Sequence, residues 1–168
     1  METAIEKKEP ILWLFTGAPG TGKTLAAEIM FEALCQEIEH LQGQAEKLTA
    51  NELYYKYQNF ARSKDYEERS QTKWCIKTLC NKIVLLDDLG SEPRTEASYA
   101  FMQNLFSVQY NWLREGHRNF VIITTNLNSN EITDIYGERV IDRIYEYYTI
   151  VRFTGTSFRK KKMKLIEV

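Results

Sequence analysis

Apolar residues along this chain are grouped in a way that predicts buried strands separated by helices. Short apolar runs occupy 10–17, 82–90, 119–126 and 148–155. Between them, apolar residues recur every three or four positions from Gly22 to about His40 and over 95–115, which is the period of a helix with one buried face. Strands that alternate with helices predict a parallel sheet covered on both faces.

Shorter segments complete the predicted order of elements. Residues 45–53 are typical of a strand that leads into a helix, with Thr49 or Asn51 near the helix start. Further helices are predicted over 51–62, 66–81 and 138–148. Gly116 follows the long helical pattern of 95–115 and is expected to end that helix.

Composition is that of an ordinary globular protein, and we expect a cytoplasmic one. The 168 residues, of which 43% are hydrophobic and 27% charged, suffice for one domain with a buried core. No run reaches the roughly 18 apolar residues that span a bilayer, and the charged N-terminus lacks an export signal, so no membrane contact is expected. Cys35, Cys75 and Cys80 lack metal-ligand spacing and are expected to be reduced thiols.

Positive charge is concentrated at the C-terminus. The net charge is −1, although residues 159–164 include five arginines and lysines, so the rest of the chain is acidic. We expect one domain over 1–158 and a basic tail over 159–168. Contact with nucleic acid would then be local, and the tail either follows a phosphate backbone or is a solvated terminus.

The stretch GAPGTGKT, residues 17–24, satisfies the phosphate-loop pattern G-x-x-x-x-G-K-[ST] between a predicted strand and a predicted helix. Its glycines let backbone N–H groups face phosphates, and the helix dipole adds attraction. We expect a nucleoside triphosphate with Mg²⁺, where Lys23 reaches the β- and γ-phosphates and Thr24 ligates the ion. The expected nucleotide-binding residues are Gly17, Pro19, Gly20, Thr21, Gly22, Lys23, Thr24 and Leu25.

Polar residues end two of the other predicted strands, at the sheet edge where parallel α/β folds bind ligands. Asp87 is expected to hold Mg²⁺, directly or through water, and Asp88 to act as general base. Asp88 is one methylene shorter than the glutamate more common in that role, which favours slow hydrolysis. Asn126 would hold the attacking water or the γ-phosphate. The plain alternatives are an acidic turn and a turn-forming asparagine.

The stretch GERVIDR places Arg139 and Arg143 four residues apart, on one face of a predicted helix. One interpretation is a solvated face paired with Glu138 and Asp142. The other is an arginine finger, a cation presented to the γ-phosphate of a neighbouring subunit. The second interpretation implies a homo-oligomer with the nucleotide at its interface.

GAPGTGKT, IVLLDDLGSE, IITTNLN and GERVIDRI occur in the order and approximate spacing of the AAA+ ATPase module of DnaC-type helicase loaders and IstB-type transposition ATPases. The chain resembles that family over about 11–158. The resemblance implies an α/β fold of the P-loop NTPase type, a three-layer sandwich with a five-stranded parallel sheet of order 5-1-4-3-2 and no C-terminal lid domain.

The resemblance also implies roles for individual residues. By position, 17–24 match the Walker A loop, Asp87 and Asp88 the Walker B acids, and Asn126 sensor 1. Arg143 matches the arginine finger best, with Arg139 second. Loaders usually carry an N-terminal domain that grips the replicative helicase, whereas about ten residues precede the first strand here, so the client, a replicative helicase or a transposase, stays open.

The helices between Leu53 and Asn81 fall where members of that family contact single-stranded DNA. Basic and aromatic side chains alternate there, a combination that suits a single strand. An amphipathic helix pair whose aromatic residues belong to the core is the alternative. The residues concerned are Lys56, Arg62, Lys64, Arg69, Lys73 and Lys77, with Tyr54, Tyr55, Tyr57, Phe60 and Tyr66.

The sequence is compatible with three functions. The first is a DNA-replication ATPase of the loader type that assembles with ATP and acts on single-stranded DNA or a DNA-bound partner. The second is a small-molecule kinase, for which the sequence offers no arginine-rich lid. The third is a switch or adaptor that binds ATP with little turnover, which the short Asp88 side chain favours.

Overall fold

The structure is a computed structural model that describes residues 11–37, 45–81, 83–117 and 119–157. The strands are β1 Ile11–Gly17, β2 Ala45–Thr49, β3 Ile83–Leu89, β4 Phe120–Thr125 and β5 Thr149–Phe153. The helices are α1 Lys23–Glu37, α2 Ala50–Arg62, α3 Tyr66–Ser70, α4 Thr72–Ile76, α5 Glu96–Arg114, α6 Ser129–Tyr136 and α7 Glu138–Tyr147.

The five strands form one parallel sheet in the order β2-β3-β4-β1-β5, which confirms the predicted order. Thr125 of β4 lies beside Thr16 of β1 and beside Leu89 of β3, so three neighbouring strands end at one edge. The register between β3 and β4 shifts between Leu86 and Leu89. Asp87 and Asp88 lie within that irregular stretch.

Strand side chains alternate between two apolar clusters, one on each face of the sheet. Val84 and Leu86 join the larger cluster, with residues from α2, α5, α6 and α7. Ile83 and Leu85 join the smaller cluster, which α1 covers with Ala27 and Leu34. All four of these β3 residues are fully buried. The arrangement is the predicted three-layer sandwich, and the strand ends emerge from between its two helical layers.

Helix starts are fixed by local hydrogen bonds. Thr49 caps α2, where its hydroxyl accepts the N–H of Glu52 at 3.1 Å and the Glu52 carboxylate accepts the N–H of Thr49 at 2.8 Å. Of the two predicted cap candidates, Thr49 is therefore the correct one. α5 ends at Arg114, two residues before Gly116, close to the predicted end.

The single helix predicted over 66–81 is wrong. The chain there forms α3, α4 and a short 3₁₀ turn at Thr78–Cys80. The hydroxyls of Ser70 and Thr72 donate to carbonyls three residues back, at 2.6 and 2.8 Å. Such side-chain bonds compete with the i to i−4 ladder of a continuous helix.

Helix α6 lies in a segment for which no helix was predicted. Asn128 caps it by accepting the N–H of Glu131 at 3.0 Å, and the Glu131 carboxylate accepts the N–H of Asn128 at 2.7 Å. The Asn-x-x-Glu spacing was the signal that could have located this helix. The predicted end of the first helix near His40 and the basic tail lie outside the described residues.

Cys35, Cys75 and Cys80 are free thiols, as predicted. Burial raises the pKa of the Cys75 and Cys80 thiols to about 11. Across the described ranges, none of the helices has the length and apolar character needed to cross a membrane.

Candidate nucleotide site

The loop between β1 and α1 has a backbone shape that two of its glycines make possible. Gly17 has a φ of 146°, and a Cβ there would lie 2.3 Å from the carbonyl oxygen of Phe153. Gly20 has a φ of 80°, and a Cβ there would lie 2.2 Å from Oγ of Ser157. At Gly17 a Cβ would meet backbone, and at Gly20 the positive φ is one that other residues rarely adopt, so glycine is favoured at both positions. The result is an open backbone cradle ahead of the N-terminus of α1, the arrangement that binds phosphate.

Lys23 places its ammonium group at the centre of this loop. Its Nζ donates to the carbonyl oxygens of Gly17 at 2.8 Å and Ala18 at 2.9 Å, and to Oδ1 of Asn126 at 2.8 Å. The residue is only 6% exposed. Thr21 is buried and donates from its hydroxyl to the carbonyl of Ala18 at 2.8 Å, which braces the same turn. The cation is therefore fixed where phosphate oxygens would approach.

Thr24 and Asp87 form a pair of oxygen ligands at the start of α1. The Thr24 hydroxyl donates to Oδ1 of Asp87 at 3.0 Å, and the hydroxyl of Thr124 donates to the same oxygen at 2.5 Å. Hydroxyl and carboxylate oxygens are the hard ligands that Mg²⁺ prefers alongside waters and phosphate oxygens. The residues present thus fit the predicted magnesium site.

Asp88 has an unusual backbone that directs its side chain toward Asn126. Its φ is 57°, a left-handed conformation that aspartate tolerates better than most residues. The N–H of Asp88 donates to the hydroxyl of Thr124 at 2.9 Å. Nδ2 of Asn126 donates to Oδ1 of Asp88 at 3.0 Å. Asn126 consequently bridges Lys23 and Asp88, one with each end of its amide.

These groups surround one cavity of about 610 Å³, a volume suited to a nucleotide. It is lined by Pro19, Gly20, Gly22, Lys23, Thr24, Leu25, Glu28, Asp87, Asp88, Thr124 and Asn126. Of the predicted loop residues, Gly17 and Thr21 lie outside this lining. Gly17 instead lines an adjoining cavity of about 730 Å³ that it shares with Asn126. Thr21 contacts the loop itself, through its hydrogen bond to the carbonyl of Ala18.

The two predicted arginines do not join this cavity. Arg143 donates from Nη1 to the hydroxyl of Ser107 at 2.5 Å, and its guanidinium lies 4.9 Å from the ring centre of Tyr110 on α5. Arg139, one turn earlier on α7, is exposed. Within one copy of the chain, the predicted catalytic set is therefore divided between the sheet edge and helix α7, where Arg139 is exposed and Arg143 is half-buried against α5.

The helices that the sequence linked to single-stranded DNA use most of their aromatic residues in the core. Tyr54 is 2% exposed, Tyr57 stacks on Phe101 with ring centres 4.5 Å apart, and Phe60 packs against the same cluster. Tyr55 and Tyr66 are 47% and 79% exposed. The core alternative is thus correct for three of the five aromatic side chains, and two remain on the surface.

Three residues in or beside the site were not predicted from the sequence. Glu28 of α1 lines the cavity. Thr124, next to the predicted Asn126, contacts both aspartates, and its place in the run TTN at a strand end was a usable signal. Glu92 is buried at 4% exposure behind the turn that follows Asp88. A glutamate in a polar turn gives no pattern that marks it as buried, so only the structure reveals it.

A family model matches most of the chain. The model describes the ATPase family associated with various cellular activities (AAA), and it matches residues 13–147. No curated protein sequence matches the chain.

Several solved structures share the fold. The chain is similar to domain III of the replication initiation protein DnaA from Thermotoga maritima, at 13% identity and a TM-score of 0.66 over 91% of this chain. It is also similar to a DNA replication initiation factor, at 17% identity and a TM-score of 0.58 over 90% of this chain. The Pif1 helicase of Candida albicans aligns at 10% identity and a TM-score of 0.52 over 95%. The chain spans 58%, 43% and 39% of those three chains, in that order.

Proposed function

The chain belongs to the AAA family of ATPases, and from that membership we propose that it binds and hydrolyses Mg²⁺-ATP as a helicase-loader or transposition-type ATPase. In this proposal, ATP assembles several copies of the chain, and the assembly acts on single-stranded DNA or on a DNA-bound replicative helicase or transposase. Hydrolysis to ADP and phosphate then releases it.

One observation carries the proposal. Lys23, Asn126 and Asp88 form a continuous hydrogen-bonded chain across the ends of three strands, with 2.8 and 3.0 Å between the paired atoms. Thr24 and Asp87 pair beside it at 3.0 Å. A glycine-rich turn without a ligand has no need for a buried cation, an amide and two carboxylates at one edge. Phosphoryl transfer needs all of them, because its catalysis is positioning and charge stabilisation.

Each residue has a distinct task in this proposal. Lys23 binds β- and γ-phosphate oxygens in place of its present carbonyl partners. Thr24 and Asp87 would hold Mg²⁺, and the bound ion neutralises charge on the phosphates. Asp88 accepts a proton from the attacking water, and Asn126 orients that water without adding charge.

The position of Arg143 supports a shared site. An arginine that stabilises the transition state must reach the γ-phosphate, yet Arg143 of α7 packs against Ser107 and Tyr110 of α5, outside the cavity of its own chain. A neighbouring copy that presents its α7 to the open cavity would supply the missing cation. ATP would then stabilise the assembly because it is bound from both sides.

The exposed part of α2 and α3 supports contact with a single strand. Tyr55 and Tyr66 present their rings to solvent. Arg62 and Arg69 are exposed on the same two helices, and Lys64 is exposed on the linker between them. Stacking on aromatic rings, combined with cations along a backbone, binds single strands without regard to base sequence. The proteins with a similar fold include two named for replication initiation and one helicase.

The test is ATP hydrolysis as a function of protein concentration, with and without single-stranded DNA. The rate per chain should rise with concentration, increase with DNA and fall by about 10³-fold in Arg143→Ala, the usual contribution of an arginine finger. Arg139→Ala is the matched variant, one turn away on the same helix. A rate indifferent to concentration, DNA and both substitutions would contradict the proposal, and tight binding with negligible turnover would favour a switch.

A further inference from the structure

Glu92 is a buried carboxylate that the phosphate-handling residues do not touch. Burying an ionised carboxylate costs several kcal/mol unless both oxygens are satisfied. Here Oε2 accepts the N–H of Gly90 at 3.0 Å, and Oε1 accepts the hydroxyl of Tyr136. A buried side chain with both oxygens bonded restrains the position of each hydrogen-bond partner. The two partners of Glu92 lie in different parts of the fold.

The first partner belongs to the turn that carries Asp88. The N–H of Ser91 donates to the carbonyl of Asp88 at 3.0 Å, and the hydroxyl of Thr125 donates to the carbonyl of Leu89 at 2.6 Å. Together with the bond from Gly90 to Glu92, these contacts hold Asp88 at its positive φ. A residue in that region persists only where its surroundings over-determine it.

The second partner stands next to the helix that carries the arginines. Tyr136 is the last residue of α6, is 1% exposed, and is followed by Gly137 and then α7. Its carbonyl accepts Nε2 of Gln103 at 3.0 Å. Burial, reinforced by Glu92, raises the pKa of the Tyr136 hydroxyl, so the hydroxyl keeps its proton and donates.

We propose that Glu92 and Tyr136 are a positioning pair that ties the turn bearing Asp88 to the start of α7 within one chain. Glu92 joins the two segments through its two oxygens. On the proposed function, on which this inference rests, Asp88 works on the chain's own nucleotide while Arg139 and Arg143 face the next subunit. The pair therefore couples the geometry of Asp88 in one nucleotide site to the position of the arginine that enters the site of the next subunit.

The experiment compares Tyr136→Phe with Tyr99→Phe in the full chain. Tyr136→Phe removes one hydroxyl and keeps the ring, whereas Tyr99→Phe removes a hydroxyl from the ring that packs edge-on against it at 6.1 Å. Glu92→Gln is the second variant, because an amide brings a donor where two acceptor oxygens stood. The readouts are kcat and KM for ATP, and the exchange rate of the Gly90 amide proton measured by NMR without nucleotide.

Tyr136→Phe and Glu92→Gln should lower kcat about tenfold, the equivalent of one lost hydrogen bond at 1.4 kcal/mol, and leave KM within about twofold. Gly90 should exchange about tenfold faster in both variants, and Tyr99→Phe should match the unmodified chain in every readout. If the kcat and Gly90 exchange of Tyr136→Phe equal those of Tyr99→Phe, the positioning pair is refuted.

The two failures are distinguishable. If the unmodified chain hydrolyses no ATP, the proposed function is wrong, and Gly90 exchange still decides on the pair. Faster exchange in Tyr136→Phe would then support the link between the turn and Tyr136. Unchanged exchange would overturn it, whatever the activity.

Discussion

At the scale of single residues, Lys23 is the group on which nucleotide binding depends. It is a nearly buried cation with three acceptors, two of them carbonyls of the loop itself. Lys23→Ala removes charge-assisted bonds to phosphate worth about 1.5–3 kcal/mol each, so ATP should bind at least about tenfold more weakly. A fluorescent ATP analogue titrated into the protein measures this. Unchanged affinity would mean that the loop does not hold phosphate through Lys23.

Asp88 separates binding from chemistry. Asparagine at this position keeps an oxygen for Nδ2 of Asn126 and tolerates the φ of 57°, but it cannot accept a proton. Asp88→Asn should therefore bind ATP within about twofold of the unmodified chain and hydrolyse it at least about 10²-fold more slowly, the usual share of a general base. Single-turnover hydrolysis checks this, and normal turnover would leave Asp88 a purely structural role.

At the scale of elements, Tyr57 and Tyr66 test which aromatic residues serve the core and which face outward. Tyr57→Ala should lower the free energy of unfolding by about 2–4 kcal/mol because it removes a ring packed on Phe101. Tyr66→Ala should stay within about 0.5 kcal/mol, since the side chain is 79% exposed. Urea denaturation measures both.

The same pair probes the DNA-binding element. Tyr66→Ala should weaken single-stranded DNA binding by about 1–3 kcal/mol if a base stacks on the ring. Fluorescence anisotropy with a labelled oligonucleotide, at fixed salt, provides the number. If Tyr66→Ala binds single-stranded DNA as tightly as the unmodified chain, Tyr66 does not contact the DNA. Binding would then depend on the exposed arginines and lysines of this region.

Elements whose structure is determined by neighbouring residues could be predicted from the sequence, whereas those that depend on distant contacts could not. The loop of 17–24 and the buried strands depend on residue type and period, and the predicted sheet order, which came from a resemblance, is confirmed. The break at Gln71 depends on hydroxyls that bond their own backbone, and the burial of Tyr54 and Tyr57 depends on α5 more than forty residues away. Glu92 needed the position of Tyr136, which no local pattern gives.

At the scale of the whole molecule, stability should depend on pH in the alkaline range. Burial raises the pKa of Cys75 and Cys80 from 9.0 to about 11, so the folded chain keeps two protons that the unfolded chain releases above pH 9. The unfolded state then binds fewer protons, and stability falls as pH rises from 9 toward 11.

The ionisation of the buried Cys75 thiol in the unfolded state should lower the free energy of unfolding by up to about 2 kcal/mol between pH 8 and pH 10.5, and that of the half-buried Cys80 by less. Burial raises the pKa of Tyr136 and Tyr148 as well, which adds to the fall in the same direction. Urea denaturation at the two pH values measures the difference, and Cys80→Ala should reduce it. A free energy of unfolding that is equal at both pH values would contradict the raised pKa of these thiols.

The central claim for the assembled molecule is that one chain completes the site of the next. Lys23→Ala and Arg143→Ala disable opposite sides of the same interface, and each should be inactive alone. Mixed in equal amounts, an Arg143→Ala chain with an intact loop receives Arg143 from a Lys23→Ala neighbour.

The measurement that tests this claim most directly is ATP hydrolysis by that mixture, with Lys23→Ala plus Arg139→Ala as the matched second pair. Recovery of hydrolysis in the mixture of Lys23→Ala with Arg143→Ala is the predicted result. Arg139→Ala should be active alone. If Arg139→Ala is instead inactive alone and regains activity only when mixed with Lys23→Ala, the finger is Arg139. If Lys23→Ala and Arg143→Ala are each inactive alone and stay inactive when mixed, the claim of a shared site is contradicted.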